Sequence, residues 1–344
     1  MTSLGPIFAD DLARVKPGDR LRLTISAQTS DAAALAQAAL EARARGERVL
    51  VVCADPADVP RLAQEMPWFE PKLDVRPLPD WETLPYDVLS PQEELVSERL
   101  EALYRLTAPT GGADVLLTSA VTASQRLSPV SYIGANTFFF HQGEQISLTT
   151  LQKRLAAAGY ANVKQVLAAG EFAVRGSIVD VFPMGSERPF RLDFFDDEIE
   201  SIRWFDVDTQ RSMESAEEIR LLPGHEFPVD PEALLAFRQR WRREFAGDPK
   251  KSIVYCDIEK EILPPGIEYY LPLFFDETAA LTDYLPPNAR VFLLGDIEAA
   301  LQAFGRDMAS RYKVFAADPQ RPALAPERIW LKPEEFFKSL ANFA

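Results

Sequence analysis

The residues best placed to do chemistry lie at the first strand-to-helix junction, Ser26-Ala27-Gln28-Thr29-Ser30-Asp31. A strand that feeds a helix leaves free backbone N–H groups at the helix start, and phosphates bind there. A working loop of this kind needs glycines to wrap the phosphates, a lysine for their charge and a Ser or Thr for magnesium. Ser26, Gln28, Thr29 and Ser30 offer polar groups, but the junction has no glycine and no lysine. Asp31 stands about where the lysine would be, and a carboxylate there repels phosphate. No Gly-Lys dipeptide occurs anywhere in the chain. The junction is expected to be a degenerate, inactive nucleotide loop, with no catalytic residue and neither ATP nor magnesium as cofactor. A divergent nucleotide hydrolase is the enzyme alternative.

Other catalytic sets are thinner. Asp196-Asp197-Glu198 groups three carboxylates, as metal or acid–base chemistry would. The cluster falls where a hairpin turn is expected, and Asp is a common turn residue. His141 and His225 stand alone in sequence, too few for a histidine metal site or a triad. Cys53 and Cys256 make no disulfide framework and read as buried thiols in strand-like settings. No Cys-x-x-Cys, Gly-x-Ser-x-Gly or His-Glu-x-x-His is present.

The remaining candidate is a surface. Side chains alternate along a strand, so in the run 190–195 Phe190, Leu192 and Phe194 form one face. Arg191, Asp193 and Phe195 form the other. In the neighbouring strand Phe172 and Val174 oppose Ala173 and Arg175, which places Arg175 on the face of Arg191. Arginine and an aromatic beside a carboxylate match the make-up of protein-interface hot spots. Periodicity leaves a second reading open: Phe195 packs under a loop, and the arginines make surface ion pairs worth about 0–1 kcal/mol.

These residues need a scaffold. At 344 residues the chain has length for two or three domains, and 47% hydrophobic residues suffice for packed cores. Apolar runs such as Val49–Cys53 fall far short of the roughly 18 residues of a membrane span. The N-terminus lacks a basic region followed by an apolar stretch, so no secretion signal is expected and the chain reads as cytoplasmic. A net charge of −15 argues against nucleic acid as the main partner of this chain alone.

Between about 20 and 130, strands at Leu21–Ile25, Val49–Cys53, Val75–Leu78 and Val115–Thr118 alternate with helices at Asp31–Arg45, Pro60–Met66 and Pro91–Leu106. This pattern predicts a parallel sheet in an α/β domain. Ser90 is expected to cap the last helix, with Glu93 closing a capping box. After about 135 one helix remains, Thr150–Ala158. Strands are expected at Val163–Leu167, Phe172–Arg175, Ile178–Phe182, Pro189–Phe195, Ile199–Phe205 and Arg220–Leu222. From Pro228 on, helices at Pro231–Phe245 and Asp296–Phe304 and strands at Tyr269–Phe275, Val291–Leu294 and Ile329–Leu331 restore α/β character. The expected layout is an α/β domain over 1–135, with a degenerate P-loop-like parallel sheet. A small inserted α+β domain follows over 136–226, and 227–344 packs back on the first part.

Residues 170–183, Gly-Glu-Phe-Ala-Val-Arg-Gly-Ser-Ile-Val-Asp-Val-Phe-Pro, resemble domain 2 of the excision-repair helicase UvrB, as do residues 191–198. Asp80-Trp81-Glu82-Thr83-Leu84-Pro85-Tyr86-Asp87, Leu222-Pro223-Gly224-His225-Glu226-Phe227-Pro228 and Pro264-Pro265-Gly266-Ile267-Glu268-Tyr269-Tyr270 extend the likeness to the N-terminal UvrB-like module of the transcription-repair coupling factors. The resemblance implies an inserted domain that binds UvrA, through Arg175, Arg191 and Phe195 with Asp193 beside them. It also implies that full-length family members continue into an RNA-polymerase-binding part and an ATP- and magnesium-dependent DNA translocase, on which this module can dock. RNA polymerase and DNA are then partners of those further parts. The short segment from Leu78 to Pro91 leaves no room for UvrB's long DNA-clamping hairpin.

Overall fold

A computed structural model describes residues 14–22, 28–108 and 112–344, with side chains at 28–30 left aside. Ser26 and most of the expected strand Leu21–Ile25 lie outside the described residues, as do the side chains of Gln28, Thr29 and Ser30. The fold is mixed α/β. Its parallel sheet has the order β12-β1-β3-β2, with β1 at Val49–Cys53, β2 at Val75–Pro77, β3 at Val115–Ser119 and β12 at Arg290–Leu294. Every residue of β1 and β3 is buried, as in a sheet covered on both faces. Val49, Val51 and Cys53 pack with Ala32, Ala36, Ala39 and Leu62 from the helices Gln28–Ala44 and Asp58–Phe69. Leu50 and Val52 join the opposite cluster with Leu100, Leu103 and Leu301. The alanines of Gln28–Ala44 let that helix lie close to the strands. Val49 of β1 pairs with both Val115 and Arg290, so the sheet is completed only when the chain returns from the inserted part.

The inserted part is built on a six-stranded sheet ordered β10-β9-β8-β7-β6-β5. Its strands are β5 Ala161–Asn162, β6 Glu171–Arg175, β7 Ile178–Val181, β8 Phe190–Phe195, β9 Glu198–Phe205 and β10 Ser212–Ala216. The pairs from β6 to β10 are antiparallel and β5 lies parallel to β6. β4 (Phe138–His141) pairs separately with β11 (Glu218–Leu221). The helix Leu148–Ala157 is capped by Ser147, whose side chain accepts from the Thr150 N–H, and it buries Leu151 and Leu155. These two side chains, with Phe172, Val179, Leu192 and Ile202, are continuous with Leu100 and Leu103 of the helix Glu93–Thr107.

The two parts are also pinned by polar contacts. The Gly185 N–H donates to Ser97 Oγ at 2.7 Å and Arg220 pairs with Glu101. Arg99, fully buried, binds Glu226 through Nε, 2.5 Å from Oε1, while Trp81 Nε1 donates to Oε2 at 3.1 Å. Behind this pair lies an aromatic core of Trp81, Tyr86, Phe237, Trp241, Tyr269 and Trp330.

Several local expectations are corrected. Ser90 does not cap: the helix starts at Glu93 after Gln92, which makes no side-chain cap bond. Ser90 Oγ instead donates to Glu268 at 2.9 Å and accepts from the Gly266 N–H at 3.0 Å. Tyr269–Phe275 is not a strand, because Ile267–Leu273 is a 3-10 helix entered through Gly266 at φ +78°. Every one of its residues is buried, so the apolar run carries no periodicity by which to tell strand from helix. Pro326–Ile329 is a helical turn, and Trp330 forms only an isolated bridge to Gln125. Val163–Leu167 is irregular because Glu171 Oε2 accepts from the N–H groups of Leu167 and Ala168 and bends the chain. Cys256 lies in the helix Ile253–Glu259, half-buried, not in a strand. The strands β4 and β10 and the helix Ile253–Glu259 add to the expected elements. β10 reads Ser-Met-Glu-Ser-Ala and is largely exposed, so backbone pairing to β9 holds it without any apolar alternation.

Candidate functional site: the outer face of the inserted sheet

The β7–β8–β9 meander is what aligns the candidate side chains. Asp180 stands opposite Arg191, and Arg191 opposite Arg203; Ile178 stands opposite Asp193, and Asp193 opposite Ser201. A register shift follows Asp193: its partner on β9 is Ser201, while the partner of Phe194 is Ile199. The extra residue, Glu200, therefore belongs to β9, and alternation along β8 stays regular. Phe190, Leu192 and Phe194 are buried, while Arg191 and Asp193 are half-buried and Phe195 is exposed. The hairpin closes at Asp196, which takes φ +54°. Asp196, Asp197 and Glu198 are exposed at this turn, and no metal-holding group of His, Cys, Asp or Glu exists among the described residues.

The structure brings Arg175 and Arg191 together through a residue that pattern reading missed. Asp180 has no exposed surface. Its Oδ1 accepts from Arg191 Nε at 2.7 Å and its Oδ2 from Arg191 Nη2 at 3.0 Å. Arg175 Nη2 donates to the same Oδ2. Arg191 Nη1 donates to the Gln210 carbonyl and to Ser212 Oγ, each at 3.1 Å, and its Cζ sits 4.9 Å from the Phe205 ring centroid. The Asp180 carboxylate raises the Arg191 pKa further above its ordinary value. Asp193 Oδ2 accepts from Ser201 Oγ at 3.1 Å. The available signal for Asp180 was a lone carboxylate within the apolar run Ile178-Val179-Asp180-Val181.

The four candidates thus share one face but differ in availability. Phe195 exposes 68% of its surface. The Arg175 side chain exposes 47%, against 13% for Arg191. Arg203, also exposed, adds a cation to the row with no ion-pair partner among the described residues.

The nucleotide-loop candidate is occupied differently. Asp31 is buried, and its Oδ1 accepts from its neighbour's N–H (Ala32) at 2.6 Å. Arg61 binds both its oxygens, at 3.1 and 2.8 Å, and also Asp58 at 2.7 Å and Glu65 at 3.0 Å. Asp31 and Asp58 hold this guanidinium firmly protonated, and the three carboxylates around it outnumber its single positive charge. Of the histidines, His141 Nδ1 lies 3.3 Å from Glu218. His225 stacks on Phe227, and burial pushes its imidazole down to about 4.

Residues 138–227 match the UvrB interaction domain family. This chain carries a UvrB interaction domain and is a relative of the transcription-repair-coupling factors. It is 42% identical over 296 residues to the transcription-repair-coupling factor of Escherichia coli (strain K12), covering 86% of this chain and 26% of that protein. It is 44% identical over 273 residues to that of Haemophilus influenzae, covering 78% and 24%. Against that of Bacillus subtilis it is 32% identical over 216 residues, covering 58% and 18%. The chain thus spans about a quarter of the length of the first two curated relatives. The UvrB interaction domain contains every candidate of the sheet face, from Arg175 to Phe195. Among the described residues no helix is long and apolar enough to cross a membrane.

Proposed function

We propose that this chain is a recruitment module that binds UvrA through the outer face of its inserted sheet. Phe195 supplies the apolar centre, Arg175 the directional cation, and Asp193 with Arg191 the adjoining polar surface. One observation carries the reading: Phe195 stands largely bare on the same sheet face as a half-exposed Arg175, within the residues that match the UvrB interaction domain. A large aromatic held mostly out in water by a regular strand gains little from folding and gains much from a partner. In the longer protein, this module would bring excision repair to sites where an ATP-driven translocase part displaces stalled RNA polymerase from DNA in the cytoplasm. The module itself acts by binding, with no nucleotide chemistry; Asp31 in the first turn of Gln28–Ala44, with Asp58 and Glu65 gathered on the same Arg61, supports this.

Titration of purified UvrA against the wild type and Arg175→Ala tests the reading. The expected result is saturable binding that weakens about tenfold or more in the variant, as truncation of an interface arginine does. Equal affinity of the two proteins, or no binding by the wild type, overturns it.

A further inference from the structure

The two arginines of this face are not equivalent, and Asp180 is the reason. A guanidinium has five N–H donors. Arg191 spends four: one from Nε and one from Nη2 on Asp180, and the two of Nη1 on the Gln210 carbonyl and Ser212 Oγ. Its plane is further held against Phe205. Arg191 therefore staples the 206–212 turn and the start of β10 to the sheet, and it has little left with which to grip a second protein. Arg175 spends one donor, on Asp180 Oδ2, and about half its side chain faces solvent. Its remaining N–H groups form an open fork, the geometry that takes a carboxylate in two parallel bonds.

We propose that Asp180 is a positioning residue for the partner-binding face, and that it acts through Arg175. Its buried carboxylate locks Arg191 away as a staple and holds Arg175 pointing outward, so that Arg175 presents an ordered fork to a carboxylate of the partner. This rests on the UvrA reading above. The physical gain is preorganisation. An arginine ordered before binding spares the complex the cost of immobilising it, about 0.5–1.5 kcal/mol for a rotamer-rich side chain, and that corresponds to roughly two- to tenfold in affinity.

The test is a double-mutant cycle read by UvrA titration of the full chain. Asp180→Asn is placed in the wild type and in Arg175→Ala. The expected loss is about fivefold in the first background and less than about twofold in the second. A merely structural role for Asp180 gives equal losses in both, and that result overturns the proposal while leaving UvrA binding intact. Absence of binding by the wild type removes the UvrA reading and the proposal with it. Asp180→Asn leaves a buried guanidinium short of its counter-charge and risks misfolding. Asp180→Asn with Arg191→Gln removes both charges together, and the cost of Arg175→Ala is then measured in that background. A cost that shrinks from about tenfold to about twofold supports the proposal, and an undiminished cost overturns it.

Discussion

Replacement of Phe195 by alanine separates binding from folding more cleanly than any other change on the face. Phe195 leaves 68% of its surface in water. For a side chain able to bury roughly 200 Å², that is about 140 Å² still to be covered by a partner. At about 25 cal/mol per Å², full coverage is worth about 3.5 kcal/mol. Alanine retains the β-carbon and real interfaces cover imperfectly, so the expected loss is about 2 kcal/mol, or roughly thirtyfold in Kd. Because this surface is already exposed in the free chain, the folded state loses little, about 0.5 kcal/mol or less. Calorimetric titration with UvrA at fixed salt measures the first quantity and a urea melt the second. Affinity unchanged within about twofold, with a normal melt, would falsify the assignment of Phe195 as the apolar anchor. A large fall in stability would show instead that its ring supports the hairpin.

Further consequences concern the scaffold. Arg99→Ala should destabilise the chain by about 3–5 kcal/mol in a urea melt, because Glu226 is left buried and unpaired; a loss under about 1 kcal/mol would refute a buried pair. Gly185→Ala should cost about 1–3 kcal/mol, since a β-carbon there would lie 2.7 Å from both Glu101 Oε2 and Leu222 Cδ1 and the backbone holds φ +76°; an unchanged melting temperature would show that the junction yields freely. Mg-ATP should give no binding heat with this chain in calorimetry, and a saturable isotherm would revive the nucleotide-hydrolase alternative.

Much of the α/β part was legible because its strands are continuous apolar runs between helix patterns. Val49–Cys53 and Val115–Ser119 are buried on both faces, as their composition requires. The face of β8 was legible for the opposite reason: strict alternation of Phe190, Leu192 and Phe194 with Arg191, Asp193 and Phe195 survives because the bulge falls on β9. What could not be read was anything set by contacts distant in sequence. Ser90 has the local signature of a cap, yet Glu268 and Gly266, far along the chain, claim its hydroxyl. Asp180 is one polar residue in an apolar run until strand pairing sets it between Ala173 and Arg191, where the side chain of Arg175 also reaches it. The aromatic run Ile267–Leu273 is buried on every side, Glu268 included, so no period distinguishes its 3-10 helix from a strand.

That same aromatic segment has a titration signature whose sign is fixed by burial. Burial raises Glu268 to about 7, from an ordinary value of 4.5. The folded chain thus binds this proton more tightly than the unfolded one, so its contribution is full below pH 4.5 and is lost as pH rises through about 7. His225 works oppositely: with its imidazole lowered from 6.5 to about 4, it costs stability as pH falls through that window and contributes no slope above 6.5. Above pH 6.5 the falling limb therefore belongs to Glu268 rather than to His225. Glu268→Gln keeps an oxygen to accept from Ser90 and removes the charge. It should remove the decline in unfolding free energy that this group contributes between pH 4.5 and about 7, and leave the variant more stable than the wild type at pH 8, by about 1–3 kcal/mol. Urea melts across this range measure both slopes. A decline of equal size in Glu268→Gln would assign it to other groups and refute the buried carboxyl as its source.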